Sequence, residues 1–236
     1  MEVLEESVRL YKAAGDTVRI TAALNSLGIV ARNQGDLRRA RAHLTESLEL
    51  RRELGDRAAV STTTCDLGLV AFDEGDVDEA RALFEQSLAL DRELGDRGGE
   101  AINLNNLGAV ALAQGDLAAA ARLLGGGLRA FSEVGDREGV AEALELAASV
   151  ASRRGQGADA VRLAGAAGAL RRAIGIPIAS DADQSRLDRE LEATRESLGD
   201  SEFASAWAAG EALSEEAAVA AALSLLDEPA RVSGSQ

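Results

Sequence analysis

The sequence predicts an all-α fold, an α-α superhelix (solenoid) of helical hairpins closed by a C-terminal helical cap. Three observations predict it. Apolar residues recur at helical spacing along most of the chain. Both prolines, Pro177 and Pro229, come late, so the residues before them are free to be helical. A Gly-Asp dipeptide recurs every twenty residues, with its glycine at Gly15, Gly35, Gly55, Gly75, Gly95, Gly115 and Gly135.

The Gly-Asp dipeptide predicts where each helix ends and where the next one begins. Glycine readily adopts the left-handed conformation that ends a helix. The aspartate that follows accepts hydrogen bonds from the free N–H groups at the start of the next helix. After Asp76 comes Glu79, which is the spacing of a capping box, with reciprocal hydrogen bonds between the two residues.

Alternate segments differ, so the repeating unit is forty residues and contains a first helix, A, and a second helix, B. In helix A a leucine-glycine pair recurs, and in helix B an alanine is followed four residues later by a larger residue in three of four units. We expect the glycine of helix A to lie opposite the alanine of helix B, because two small residues let the backbones approach closely. The glycines are Gly28, Gly68 and Gly108; the alanines are Ala40, Ala80, Ala120 and Ala160; the residues four further on are Leu44, Phe84, Leu124 and Ala164.

These positions resemble the tetratricopeptide repeat, in which helix A carries Leu-Gly before a small residue and helix B carries Ala-x-x-x-aromatic/Leu. The period of forty, rather than the usual thirty-four, resembles the longer-helix variant of kinesin-light-chain-like arrays. The resemblance implies an array over residues 1–175, with a half repeat at 1–15 and full repeats at 16–55, 56–95, 96–135 and 136–175.

The N-terminal residues begin inside a unit. Residues 1–14 match the second half of a B helix, and no A helix precedes them. A repeat cannot bury its apolar face alone. We therefore expect either that the natural chain continues upstream or that this helix packs on a partner, and a homodimer through the half repeat is one such arrangement.

The register ends after Gly175, where Ile176-Pro177-Ile178 predicts a break. Helices are predicted at 183–198, 201–213 and 214–226, forming a cap over 176–226, and 227–236 is predicted to be a disordered tail. RLAGAAGALRRAIGIPI and EFASAWAAGEALSEEAAVAAAL, in residues 158–226, resemble the C-terminal end of bacterial signal-transduction regulators. Those proteins join an NTPase to a tetratricopeptide arm, often with a LuxR-type or AfsR-type DNA-binding domain. The resemblance implies a sensing or partner-binding arm, although this chain carries no phosphate-binding Gly-x-x-x-x-Gly-Lys-Ser/Thr loop.

The fourth B helix carries Gly125-Gly126-Gly127 at its centre. Three glycines inside a helix cost roughly 2–3 kcal/mol against alanine, so we expect the helix to be interrupted there. Two interpretations remain open, namely decay of the repeat and a hinge.

Composition excludes several classes of function. The formal net charge is −15, from 40 acidic and 25 basic residues, which disfavours direct binding to nucleic acid. No apolar run approaches the length of a membrane span, and the acidic N-terminus lacks the features of a secretion signal, so we expect a cytoplasmic protein with no membrane partner.

Reactive residues are few. His43 is the only histidine and Cys65 the only cysteine, which leaves neither a metal site built on these residue types nor a disulfide. A cysteine nucleophile needs a base beside it, and Asp66 points elsewhere on a helix. We therefore expect no enzyme activity, no metal and no cofactor.

Partner binding is the function that the resemblance implies, because the A helices of tetratricopeptide arrays line a concave groove. Amides, aliphatic side chains and one phenyl group fall at the groove positions, a lining that suits an extended peptide or a helix. A small-molecule or peptide sensor that closes around its ligand in the concave face is the alternative. The residues expected to contact the partner are Asn25, Ile29, Arg32, Asp66, Leu69, Phe72, Asn105, Asn106 and Leu112.

Overall fold

The computed structural model describes residues 2–176 and 181–228, with the backbone alone for residues 181–186. These residues form twelve α-helices and no strand, which confirms the predicted all-α class. The helices are α1 (Glu2–Ala14), α2 (Thr17–Asn33), α3 (Leu37–Leu54), α4 (Arg57–Glu74), α5 (Val77–Leu94), α6 (Arg97–Ala113), α7 (Leu117–Val134), α8 (Arg137–Arg153), α9 (Gly157–Ile174), α10 (Asp181–Leu198), α11 (Asp200–Glu211) and α12 (Glu215–Asp227). None of them is long and apolar enough to cross a membrane.

The Gly-Asp dipeptides end and begin the helices as predicted. Gly55 has a φ of +71°, in the left-handed region that favours glycine. Asp36 accepts a hydrogen bond from the N–H of Arg39 at 3.0 Å, which satisfies a free donor in the first turn of α3. The same cap hydrogen bond recurs at Asp16, Asp56, Asp76, Asp96, Asp116 and Asp136.

The predicted capping box at Asp76 is only half formed. The N–H of Glu79 donates to Asp76 Oδ1 at 3.0 Å, but the N–H of Asp76 donates to the carbonyl of Ala71 at 2.9 Å. The carboxylate of Glu79 instead pairs with Arg41 at 2.7 Å. The capping box needs the backbone N–H of Asp76 as a donor to Glu79, but the Gly-Asp turn already uses that N–H to end α4 on the carbonyl of Ala71.

The glycines of the A helices lie against a different residue than predicted. A β-carbon on Gly28 would meet Cγ of Leu44 at 2.5 Å, and its nearest neighbours all belong to that side chain rather than to Ala40. A β-carbon on Gly108 would likewise lie 2.5 Å from Cδ2 of Leu124. The glycine therefore makes room for the large residue of helix B.

The chain divides into two compact units, residues 1–106 and 107–236. In the first unit α1 packs on α2, α2 on α3, α3 on α4 and α4 on α5. Its interior is built from the apolar faces of these helices, whose buried members include Val8, Ile20, Leu24, Leu27, Leu44, Leu48, Leu67 and Val70. On α1 the side chains of Val3 and Leu10 stay exposed, at 79% and 58%. Dimerisation through this helix stays a prediction.

In the second unit α7 packs on α8 and α8 on α9, and the C-terminal helices pack on these three. Three helices are found where the cap helices were predicted, with ends that differ by at most two residues from the predicted ones. Helix α11 lies along α9, and α12 lies against α7 and α8. Residues 177–180 and 229–236, which hold part of the predicted break and most of the predicted tail, fall outside the described residues.

The three consecutive glycines do not interrupt their helix. Helix α7 runs without a break through them, and Gly125 and Gly127 are buried. A β-carbon on Gly125 would lie 4.0 Å from Cβ of Leu226, because α12 packs over this stretch. The expectation of an interruption was wrong because tertiary packing outweighs the low helix propensity of glycine.

Candidate protein-binding face

Polar side chains link successive A helices of the first unit. Asn25 on α2 donates from Nδ2 to Asp66 Oδ2 on α4 at 2.8 Å. Two turns further along α2, Arg32 donates from Nε to Asp73 Oδ2 at 2.6 Å. Both links join residues forty-one positions apart, one repeat plus one residue, so they hold α2 and α4 in a fixed register.

Three apolar side chains accompany these links. Ile29 on α2 is 40% exposed, and Leu69 and Phe72 on α4 are half-buried. Ile29 lies between Asn25 and Arg32 in sequence at helical spacing, so the three share one side of α2. We use "A face" for the surface formed by Ile29, Arg32, Asp66, Leu69, Phe72 and Asp73.

Asp66 differs electrostatically from the rest of the A face. Burial raises the pKa of its carboxyl above the ordinary range, and the Asn25 hydrogen bond and the charges of Arg32 and Arg51 offset part of that effect. Asp66 forms no ion pair with any described residue, whereas Asp73 is paired with Arg32. The A face therefore presents one partly desolvated carboxylate that no arginine or lysine of the described residues contacts as an ion pair.

Four of the predicted contact residues are buried. Asn25 is 7% exposed and also accepts from Thr63 Oγ1 at 3.0 Å. Asn105 and Asn106 are 1% and 8% exposed, and Leu112, in the second unit, is 2% exposed. Their side chains serve the interior of each unit, so the A face consists of the other five predicted residues together with Asp73, which was not predicted. Whether any of the nine contacts a partner stays a prediction.

Cys65 lies beneath the A face as a buried thiol. Asn106 donates from Nδ2 to its Sγ at 3.5 Å. Burial, followed by the charge of Asp66, raises the pKa of Cys65 to about 12, so the thiolate is scarce at neutral pH. A protonated, buried thiol is a poor nucleophile.

A buried polar network in the first unit went unpredicted. Asp91 on α5 is 3% exposed and accepts from Ser61 and, at 2.8 Å, from Asn103 Nδ2. Asn103 also donates to Ser87 Oγ at 2.9 Å. Burial raises the pKa of Asp91, and the two hydrogen bonds partly offset the rise. The signal in the sequence is an acidic residue at a position of helix B where the other repeats have Arg51, Phe131 and Arg171.

The second unit holds a buried ion pair beside an open cleft. Arg171 on α9 donates to both carboxylate oxygens of Glu145 on α8, at 2.6 and 2.9 Å, and both residues are at most 9% exposed. The pair and Trp207 line a cleft of about 500 Å³. The carboxylate and the guanidinium are engaged with each other, so they do not converge on an empty site.

Helix α10 continues the inter-repeat links of the A helices. Ser149 on α8 donates to Glu190 Oε2 at 2.5 Å, across forty-one residues, and Arg153 lies 3.9 Å from Glu190 Oε1. The predicted end of the register after Gly175 therefore marks the loss of the sequence signature, while the spacing of the contacts persists in α10. No group of three or more His, Cys, Asp or Glu within 2–176 and 187–228 is arranged to hold a metal.

Comparison with known proteins agrees with this architecture. Residues 18–93 and 58–125 match the sequence model of the tetratricopeptide repeat family. No curated protein matches the chain. Among solved structures, the crystal structure of BtubC (BKLC) from P. vanneervenii matches with a TM-score of 0.63 and 20% identity, covering 100% of this chain and 95% of that one. At this identity the match shows the fold alone. The stretch 18–125 is thus similar in sequence to tetratricopeptide repeats, within a helical repeat fold that extends over the chain.

Proposed function

We propose that this chain is a non-enzymatic interaction protein that binds a protein segment along the A face. Tetratricopeptide repeats generally mediate contacts between proteins, and residues 18–125 match that family. The observation that carries the proposal is the exposure of apolar side chains on helices that already have their hairpin partners. Ile29 remains 40% exposed although α2 is packed between α1 and α3. With the half-buried Leu69 and Phe72 of α4 it forms an apolar group that the packing leaves partly exposed, and such a group, unlike a single side chain, favours contact with another molecule.

The protein segment is favoured over a small molecule by the geometry. Ile29, Leu69 and Phe72 lie on two neighbouring helices and alternate with the polar links, which suits contacts spread along an extended chain or a helix. A small-molecule site needs convergent polar groups in a deep pocket. The cleft of the second unit is open, and its buried charges, Glu145 and Arg171, are already paired.

A display library of random peptides, selected against the whole chain, tests the proposal. Selected peptides are then measured against a face variant, Ile29→Ala/Leu69→Ala/Phe72→Ala. The matched control is Leu54→Ala/Leu94→Ala, since these leucines are 44% and 41% exposed at the ends of B helices. Circular dichroism checks that both variants stay folded.

We expect the selected peptides to bind the wild-type chain and the control equally and to lose about tenfold or more in affinity for the face variant, which corresponds to about 1.4 kcal/mol. Equal affinity for the face variant, or the failure of any peptide to be enriched, overturns the proposal.

The finer part of the proposal is that the chain is the sensing or partner-binding arm of a bacterial signal-transduction or transcriptional regulator, acting in the cytoplasm. The similarity of residues 158–226 to the ends of such regulators supports it. Helices α11 and α12, which carry that similarity, pack on α7, α8 and α9 and so belong to the same folded unit. An NTPase domain encoded in the reading frame upstream of Met1 is expected. An independent transcript with no such frame would overturn this part.

A further inference from the structure

The charges on the A helices of the first unit are almost completely paired. These helices are α2, α4 and residues 97–106 of α6. Every charged side chain on them other than Asp66 takes part in an ion pair. The pairs are Arg19–Asp16, Arg32–Asp73, Arg57–Glu93, Glu74–Arg41, Arg97–Glu100 and Glu100–Arg92.

Asp66 is therefore the exception in an otherwise neutralised surface. Asn25 holds its Oδ2 at 2.8 Å, which fixes the carboxylate in place without supplying charge. Its nearest pairing candidates serve other groups, because Arg32 binds Asp73 and Arg51 donates to the carbonyl of Ala59 at 2.8 Å. A fixed and partly desolvated carboxylate gains more from a cation than a solvated one does.

The surroundings of Asp66 limit the form of that cation. Leu69 follows it by three residues and Phe72 by six on α4, and Asn25 places Ile29 of α2 alongside. An arginine or lysine side chain has an apolar stem that packs on such residues while its charged head reaches the carboxylate. The formal charge of −15 on the whole chain adds attraction for a basic segment at longer range.

We propose that the segment bound by the A face is basic and amphipathic, with one arginine or lysine side chain seated on Asp66 between apolar residues that contact Ile29, Leu69 and Phe72. The inference rests on the proposed function, since it names the chemistry of the partner at the same face. It commits to a protein segment, because the apolar contacts on both helices need a chain of several side chains.

Short synthetic peptide pools provide the probe. Each pool has randomised apolar flanks around one central position, which is arginine, its neutral isostere citrulline, or glutamate. The whole chain is tested as wild type, as Asp66→Asn and as Asp78→Asn. The Asp66→Asn change keeps an oxygen acceptor for the amide of Asn25. Asp78 is exposed on α5, so its variant removes one charge away from the A face.

We expect the wild-type chain and Asp78→Asn to bind the arginine pool about tenfold more tightly than the citrulline pool. For Asp66→Asn the two pools should bind equally, and the glutamate pool should be the weakest on the wild-type chain.

The outcomes separate the two proposals. Equal binding of the arginine and citrulline pools by the wild-type chain, or a preference for arginine that survives Asp66→Asn, overturns the basic partner. If the peptides in those cases still lose their affinity for the variant Ile29→Ala/Leu69→Ala/Phe72→Ala, the proposal that the A face binds a protein segment holds, and only the basic character of that segment is overturned. Binding that the triple variant leaves unchanged overturns both.

Discussion

A β-carbon added to Gly68 would lie 2.6 Å from Cε1 of Phe84, closer than side chains approach in packed proteins. Gly68 is on the A helix of its repeat and Phe84, at 1% exposure, is on the B helix. The phenyl ring occupies the space that the missing side chain leaves. The contact shows why helix A needs glycine directly after Leu67: the glycine sets how near the largest core residue of helix B can come.

Gly68→Ala is expected to destabilise the first unit by about 1–3 kcal/mol through overpacking, although alanine favours helix formation. Urea denaturation followed by circular dichroism measures the change. Phe84→Ala alone should cost about 3–5 kcal/mol because it leaves a cavity. The double variant should cost less than the sum, since the new methyl group then fits into the space of the ring.

Gly125→Ala is the matched control for this prediction. Its β-carbon would meet only ordinary contacts, the nearest being 3.4 Å from Arg129. We expect it to stabilise the second unit by about 0.5–1 kcal/mol, because α7 then has a better helix former. Destabilisation by Gly125→Ala equal to that by Gly68→Ala would show that the local clash is not the cause.

Because Glu145 and Arg171 form a buried ion pair, we expect the effects of substituting them on the free energy of unfolding to be strongly non-additive. Arg171→Met leaves a buried carboxylate without its cation and should cost about 3–5 kcal/mol. Replacing both residues, as Glu145→Leu/Arg171→Met, should cost much less than either single change, because no buried charge remains. Denaturation midpoints of the three variants measure this, and additive effects would contradict it.

Asp91 predicts how stability depends on pH. Its pKa is raised in the folded state by burial, so its contribution favours the fold below the unfolded pKa of about 3.9 and is lost as the pH rises through the folded pKa. Asp91→Asn keeps hydrogen-bonding groups for Ser61 and Asn103 and removes the buried charge. The variant should therefore gain stability relative to the wild-type chain as the pH is raised from acid to neutral.

The control for Asp91→Asn is Glu85→Gln, an exposed carboxylate on the same helix. Thermal melting at a series of pH values compares the three proteins. Parallel curves for Asp91→Asn and the wild-type chain would contradict a destabilising buried charge at Asp91.

The helix order was predictable because the signals for it are local. Gly55 and Asp56 end one helix and begin the next with hydrogen bonds that span only a few residues, so the dipeptide alone locates the turn. Exposure on the A face was less predictable. The period places Asn25 and Ile29 together, yet one is 7% exposed and the other 40%, since the side chain of Asn25 is enclosed by its hydrogen bonds to Asp66 and Thr63 of α4.

The polar contacts between elements were not predictable from single positions. Asn103 and Asp91 have no common motif, and only the packing of α6 on the preceding hairpin brings them within 2.8 Å. The choice of Leu44 rather than Ala40 as the neighbour of Gly28 has a similar cause. Sequence spacing shows which face is buried, whereas the longitudinal offset of two helices decides which residues meet.

Gly210 lets the backbone of α11 approach the backbone of α9 closely, so we expect a side chain at this position to separate the two helices. A β-carbon at this position would overlap the carbonyl oxygen of Arg162 and lie 3.1 Å from the backbone nitrogen of Ala166. Backbone atoms cannot rotate away as a side chain does, so Gly210→Ala should force α11 off α9 and expose Trp207, which packs on that helix. Gly168→Ala is the control, because its β-carbon would meet Trp207 only at 3.8 Å.

Trp207 is the only tryptophan in the chain, so its fluorescence reports this contact directly. We expect a red-shifted emission maximum and faster hydrogen exchange in α11 for Gly210→Ala, and wild-type behaviour for Gly168→Ala. The first unit, which contains no part of α11, should keep its hydrogen-exchange protection in both variants. Unchanged emission and exchange in Gly210→Ala would mean that the two backbones tolerate a larger separation without losing the packing of Trp207.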